Sequence, residues 1–159
     1  MNWLWKKKIK QPVLGQISQI DIYKNGRLQL IFNTRNKIYV LDRNGNNVKQ
    51  FPKTFNDPIT QPLSVFDYDN NKNYRLLVTQ GSELLMYDKN GKKVNGFKYK
   101  KSNNSITSKP KHFRILNKEV ADKVECAFRL KLPAETDGSG HGSGRFRRAR
   151  NVNLSLIHI

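Results

Sequence analysis

Residues 66–97, FDYDNNKNYRLLVTQGSELLMYDKNGKKVNGF, lie over residues 20–51, IDIYKNGRLQLIFNTRNKIYVLDRNGNNVKQF, without a gap when shifted back by 46 positions. Asp67 then covers Asp21, Leu76 covers Leu30, Asp88 covers Asp42, Asn90 and Gly91 cover Asn44 and Gly45, Val94 covers Val48, and Phe97 covers Phe51. A further step back from Phe51 reaches Trp5, so an aromatic recurs at positions 5, 51 and 97. A fixed period of this length marks a chain built from like units, each too small to bury its own apolar surface alone.

Within each unit the pattern predicts four short strands. In the first they fall at Ile17 to Tyr23, Arg27 to Phe32, Lys37 to Asp42 and Asn47 to Phe51. The runs LQLIF and IYVL are nearly continuous in apolar residues, as expected of strands covered on both faces. Asn44-Gly45 supplies a tight hairpin turn. The connector from Pro52 to Pro62, with two prolines and Asp57, reads as a crossing and not a strand. The second unit predicts strands near Leu63 to Tyr68, Tyr74 to Thr79, Glu83 to Asp88 and Lys93 to Lys98. Ile106, Thr107 and Phe113 echo Ile59, Thr60 and Phe66 at a spacing of 47, so a third unit starts near Pro110 to Ile115 and breaks off after Val120. Asn2 to Lys8 would be the last strand of a preceding unit.

Units of about 40 to 50 residues with four strands are the signature of a β-propeller blade. The hairpins KIYVLDRNGNNVKQF and LLMYDKNGKKVNGF resemble those of quinoprotein-type and WD40-like propellers. The resemblance covers residues 2–116 and implies that Trp5, Asp42, Gly45, Phe51, Asp88, Gly91 and Phe97 hold blades together. The expected fold is therefore all-β: a partial propeller of two complete four-stranded antiparallel blades, at about 17–51 and 63–98, with partial blades at 2–8 and 110–120. A closed propeller needs at least four blades, so the missing ones are the first expected partner. The resemblance is to bacterial repeat proteins, and it implies a non-catalytic interaction module, with an unidentified protein partner, in a cell-envelope or secreted protein.

Composition divides the sequence. Residues 1–124 carry 19 Lys and 5 Arg, whereas residues 125–159 carry 1 Lys and 5 Arg, and Asn falls from 16 to 2 across the same point. Glu135 to Gly144 reads as a flexible linker. Leu154 to Ile159 resembles the translation of a transposon-end sequencing adapter. Residues 121–159 are therefore expected to be an unstructured, non-native tail. Cys126 is the single cysteine, which excludes an intrachain disulfide. No apolar run of 18 or more residues is present, so no transmembrane helix is predicted.

Two chemical readings remain. The run Asp67-Tyr68-Asp69-Asn70-Asn71 resembles the acidic loop of integrin-type FG-GAP or VCBS repeats, in which alternate oxygen ligands hold calcium. Asp67, Asp69 and Asn71 fit the first three ligand places, but Lys72 and Arg75 stand where a glycine and a carboxylate belong. The competing reading is a structural turn, or an ion replaced by Arg75 pairing with Asp67 or Asp69. The net charge of +18 raises the second possibility. Lys6, Lys7 and Lys8, with Lys98, Lys100 and Lys101, form lysine-rich edges that a nucleic acid or other polyanion could meet. Lysines without interleaved aromatic platforms more often keep exposed edges soluble, which argues against nucleic acid. No hydrolase or phosphate-binding motif is present and His112 stands apart from other ligand residues, so no enzyme is expected and no resident cofactor beyond the calcium candidate.

Overall fold

A computed structural model describes residues 4–97, 99, 101–116, 124–131 and 152–157. Every element among them is a strand: β1 (Leu14–Ile20), β2 (Gln29–Asn33), β3 (Lys37–Leu41), β4 (Lys53–Thr54), β5 (Ser64–Phe66), β6 (Arg75–Gln80), β7 (Glu83–Asp88), β8 (Lys111–Leu116), β9 (Val124–Lys131) and β10 (Val152–Ile157). They form three antiparallel sheets, ordered β1-β2-β3-β4, β5-β6-β7 and β10-β9-β8. No helix among the described residues is long and apolar enough to cross a membrane.

The continuous apolar runs work as both-face strands. On β6 and β7, Leu76 and Val78 with Leu85 and Tyr87 point to one side, while Leu77, Leu84 and Met86 point to the other. The first side joins Ile31, Ile38 and Val40 of β2 and β3 in one buried cluster, so the first two sheets bury one another's faces. The second side joins Tyr68 and Ile106, with Phe66, Val94, Phe97 and Tyr99 packed against it. On the far face of β2 and β3, Phe32 and Tyr39 stack with ring centroids 5.3 Å apart.

Three expectations need correction. The first strand is Leu14–Ile20, not Ile17 to Tyr23, because the Asp21 carboxylate accepts the N–H groups of Asn25 and Gly26 and closes a loop at that point. A bulge between Leu14 and Ser18, containing Gly15 at φ 71, extends the strand on its other side. The predicted outer strand Asn47 to Phe51 is reduced to a single bridge, Leu41 to Asn47. Gln50 takes φ 75 and the Phe51 N–H returns to the Val48 carbonyl at 2.9 Å, so the backbone turns there and pairs with β3 only at Lys53–Thr54, inside the supposed connector. In the second unit the predicted strand Lys93 to Lys98 is likewise a lone bridge, Tyr87 to Lys93, and the fourth strand is another, Glu83 to Lys101. The second sheet is therefore three-stranded.

At the termini, Trp5 to Lys8 lie outside any strand. Of the stretch expected to be unstructured, Val124–Lys131 and Val152–Ile157 are paired strands. The remainder of 121–159 lies outside the described residues.

A polar tether distinguishes the two sheets. Asn33, fully buried at the end of β2, accepts the Leu63 N–H at 2.9 Å and donates to the Gln61 carbonyl at 3.3 Å, tying the lead-in of the second sheet to the first. Forty-six residues on stands Thr79, also fully buried, whose Oγ1 has no hydrogen-bond partner among the described residues. The residue facing it in the equivalent tether would be Pro110, which has no N–H to give. Removing one partner of a satisfied buried pair costs about 1–3 kcal/mol, whereas removing an unsatisfied hydroxyl relieves a penalty. Asn33→Ala is thus expected to lower the unfolding free energy by roughly 1–3 kcal/mol, and Thr79→Val to leave it unchanged or raise it, in urea titrations. Comparable losses from both substitutions would contradict this assignment.

Candidate functional site

The two acidic loops and the two hairpin turns lie at the same end of the sheets, because β2 and β6 start there and β3 and β7 finish there. In each hairpin an aspartate organises the turn. Asp42 Oδ1 accepts the N–H groups of Asn44 and Asn46 at 2.9 and 2.8 Å, and Asp88 Oδ1 accepts those of Asn90 and Lys92 at 2.9 and 2.8 Å. The backbone bonds also correspond: Gly45 N–H to Asp42 C=O and Gly91 N–H to Asp88 C=O are both 3.0 Å. The Asn46 N–H bond is the main cause holding the Asp42 carboxyl below its usual range.

Both turn glycines are at positive φ and lie under an aromatic from the preceding segment. A β-carbon on Gly45 would come within 2.6 Å of the Trp5 ring, whose Nε1 donates to the Arg43 carbonyl at 2.8 Å. A β-carbon on Gly91 would touch the Phe51 ring at 3.6 Å. Gly45 therefore serves two ends, a left-handed backbone and room for the ring, whereas at Gly91 the contact would be an ordinary one and the left-handed backbone alone favours glycine. Phe97 packs on the second cluster beside Val94 and Tyr99, at a groove of about 450 Å³ that Glu83, Met86 and Lys101 also line.

The acidic loops turn their oxygens inward. Asp67 Oδ1 and Oδ2 accept the N–H groups of Asn71 and Lys72 at 3.2 and 2.6 Å, and Asn71 Oδ1 accepts the Asn73 N–H at 2.9 Å. Asp21 and Asn25 do the same for Asn25, Gly26 and Arg27 in the first unit. Of the residues proposed for calcium, Asp67 and Asn71 direct oxygens at backbone N–H groups, while Asp69 Oδ2 accepts only from Asn71 Nδ2, at 3.5 Å. Among the described residues no three of His, Cys, Asp and Glu lie close enough to share a metal ion.

Arg75 does not take the ion's place either. It stands in β6 opposite Phe66 and Asp88, with its Nε buried and unpartnered among the described residues. Lys72 instead reaches across to the first unit, where its Nζ lies 2.6 Å from Asp21 Oδ2. Tyr74 accepts the Asp21 N–H at 3.1 Å, and Lys89 Nζ donates to the Ile22 carbonyl at 3.2 Å. Three side chains of the second unit thus clamp one loop of the first. Sequence reasoning missed this clamp. The shared Asn25 and Asn71, each two residues before the amide it caps, was the available signal that both loops are self-bonded turns.

Of the lysine edges, Lys6, Lys8 and Lys101 are exposed and Lys7 is half-buried, while Lys98 and Lys100 lie outside the described residues. Comparison with known protein families, curated proteins and solved structures returned no match.

The clamp makes a pH prediction. The Lys72 ammonium, aided by the Gly26 and Asn25 N–H groups, lowers the Asp21 carboxyl from 3.8 to about 2. A carboxyl lowered in the folded state contributes stability above its unfolded pKa, and that contribution is lost as pH falls through the folded value. The stability gap between the native protein and Asp21→Asn is expected to be constant above pH ~4 and to shrink toward pH ~2. Denaturant midpoints at stepped pH measure it, and a gap that stays constant to pH ~2 would remove Asp21 as the source.

Proposed function

We propose that the protein is a non-catalytic interaction module made of β-propeller-type units, part of a larger repeat array. One observation carries this reading: hydrogen bonds and ring contacts recur at a constant shift, Trp5 over Gly45 and then Phe51 beside Gly91, each aromatic meeting the turn of the next unit. The connectors agree, since Phe55 N–H to Asn36 C=O and Ile59 N–H to Arg35 C=O are matched by Ser102 N–H to Ser82 C=O and Ile106 N–H to Gly81 C=O. Units that join by such nearest-neighbour contacts can be added in series.

The polar groups near these contacts are consumed in holding turns. Asp21, Asp42, Asp67 and Asp88 each bind backbone N–H groups, an arrangement suited to rigidity and not to proton transfer. A module of this kind presents surfaces to a protein partner or to further blades. The charge of +18 favours a second reading, capture of a polyanion at the lysine-bearing segments, whose mark would be affinity falling steeply with added salt.

Inserting one extra copy of residues 52–97 directly after Phe97 tests the repeat reading. A nearest-neighbour array gains an interface with each unit, so the longer protein is expected to melt in a single transition at a higher temperature. A second, separate transition or an unchanged midpoint would count against it.

A further inference from the structure

Four Asn-Gly pairs occur in the sequence, at 25–26, 44–45, 90–91 and 95–96. Such pairs are open to a spontaneous reaction, because glycine leaves its backbone nitrogen unhindered. Once that nitrogen has lost its proton to a solvent base, it attacks the asparagine Cγ. A new bond forms between the backbone nitrogen and Cγ, the bond from Cγ to the amide nitrogen breaks, and that nitrogen leaves as ammonia after taking a proton from water. Water then opens the cyclic imide at either carbonyl, giving aspartate or isoaspartate. The reaction needs a backbone N–H that solvent can deprotonate and room for the ring.

The fold ties up that N–H in a hydrogen bond in three of the pairs. Gly26 N–H donates to Asp21 Oδ2 at 2.9 Å, and the Asn25 side chain is itself held by the Arg27 N–H. Gly45 N–H and Gly91 N–H each donate to an aspartate carbonyl at 3.0 Å, and both glycines are buried, next to Trp5 and Phe51. Asn95-Gly96 differs from all three in its backbone N–H. As at Asn25-Gly26, both residues are exposed and a β-carbon on the glycine would meet nothing within 4 Å, but among the described residues no acceptor binds the Gly96 N–H.

We propose that Asn95 is the protein's deamidation site, selected from four equivalent dipeptides by the hydrogen bonds that the fold gives the other three glycines. Its position has a consequence. The product places a negative charge, and in the isoaspartyl form an extra backbone methylene, two residues before Phe97, which packs on the second cluster. Ageing of Asn95 would therefore disturb the aromatic anchor at that side of the second sheet.

The test is incubation of the full-length protein at mildly alkaline pH, followed by peptide mapping for the mass gain of about one dalton that the exchange of amide for acid brings. Asn95 is expected to convert at least about tenfold faster than Asn25, Asn44 or Asn90 while the protein is folded, since a protected amide must await local opening. In concentrated urea the four rates should converge to within roughly threefold, as only the shared Asn-Gly chemistry remains. Conversion of any of the other three as fast as Asn95 in the folded protein would overturn the proposal. So would an advantage for Asn95 that persists undiminished in urea, because the selection would then lie in local sequence.

Discussion

Everything in the first two units depends on two flat, apolar sheet faces covering one another. Ile31, Ile38 and Val40 on one side and Leu76 and Val78 on the other are at most 1% exposed, and neither sheet could keep them from water alone. Because β6 and β7 are apolar on both sides, the second sheet needs a cover on its other face as well, which Ile106 and the aromatic residues near position 97 help to supply. Polar contacts at the rim fix the alignment of the stack. Lys72, Tyr74 and Lys89 hold the Asp21 loop at one end, and Asn33 holds Gln61 and Leu63 at the other.

The parts of this arrangement that were legible in the sequence are those governed by local pattern. The central strands β2, β3, β6 and β7 lie within two residues of their predicted limits, since an unbroken apolar run between turn residues has few other solutions. The Asn-Gly turns were equally legible, because the aspartate two residues before each asparagine bonds within its own turn. What could not be read were features set by distant partners. Gln50 at positive φ ends the expected outer strand, and no local propensity predicts a glutamine there. Lys72 was read as an intruder in a calcium loop, yet its partner, Asp21, lies 51 residues away.

The candidate site follows the same division. The sequence marks Asp67, Asp69 and Asn71 as an oxygen-rich run, and only the three-dimensional arrangement reveals that two of the three point their oxygens at their own backbone. The same holds for Trp5, Phe51 and their glycines, whose spacing was visible while their pairing between one unit and the next was not.

Mutual burial of the two sheets is most directly tested by native-state hydrogen exchange at Ile31, Val40, Leu76 and Val78. If each sheet depends on the other, these amides open together, with one free energy equal to that of global unfolding and one common response to denaturant. If those of β2 and β3 instead open at a free energy distinct from those of β6 and β7, the sheets are separately stable and the account of the stack is contradicted.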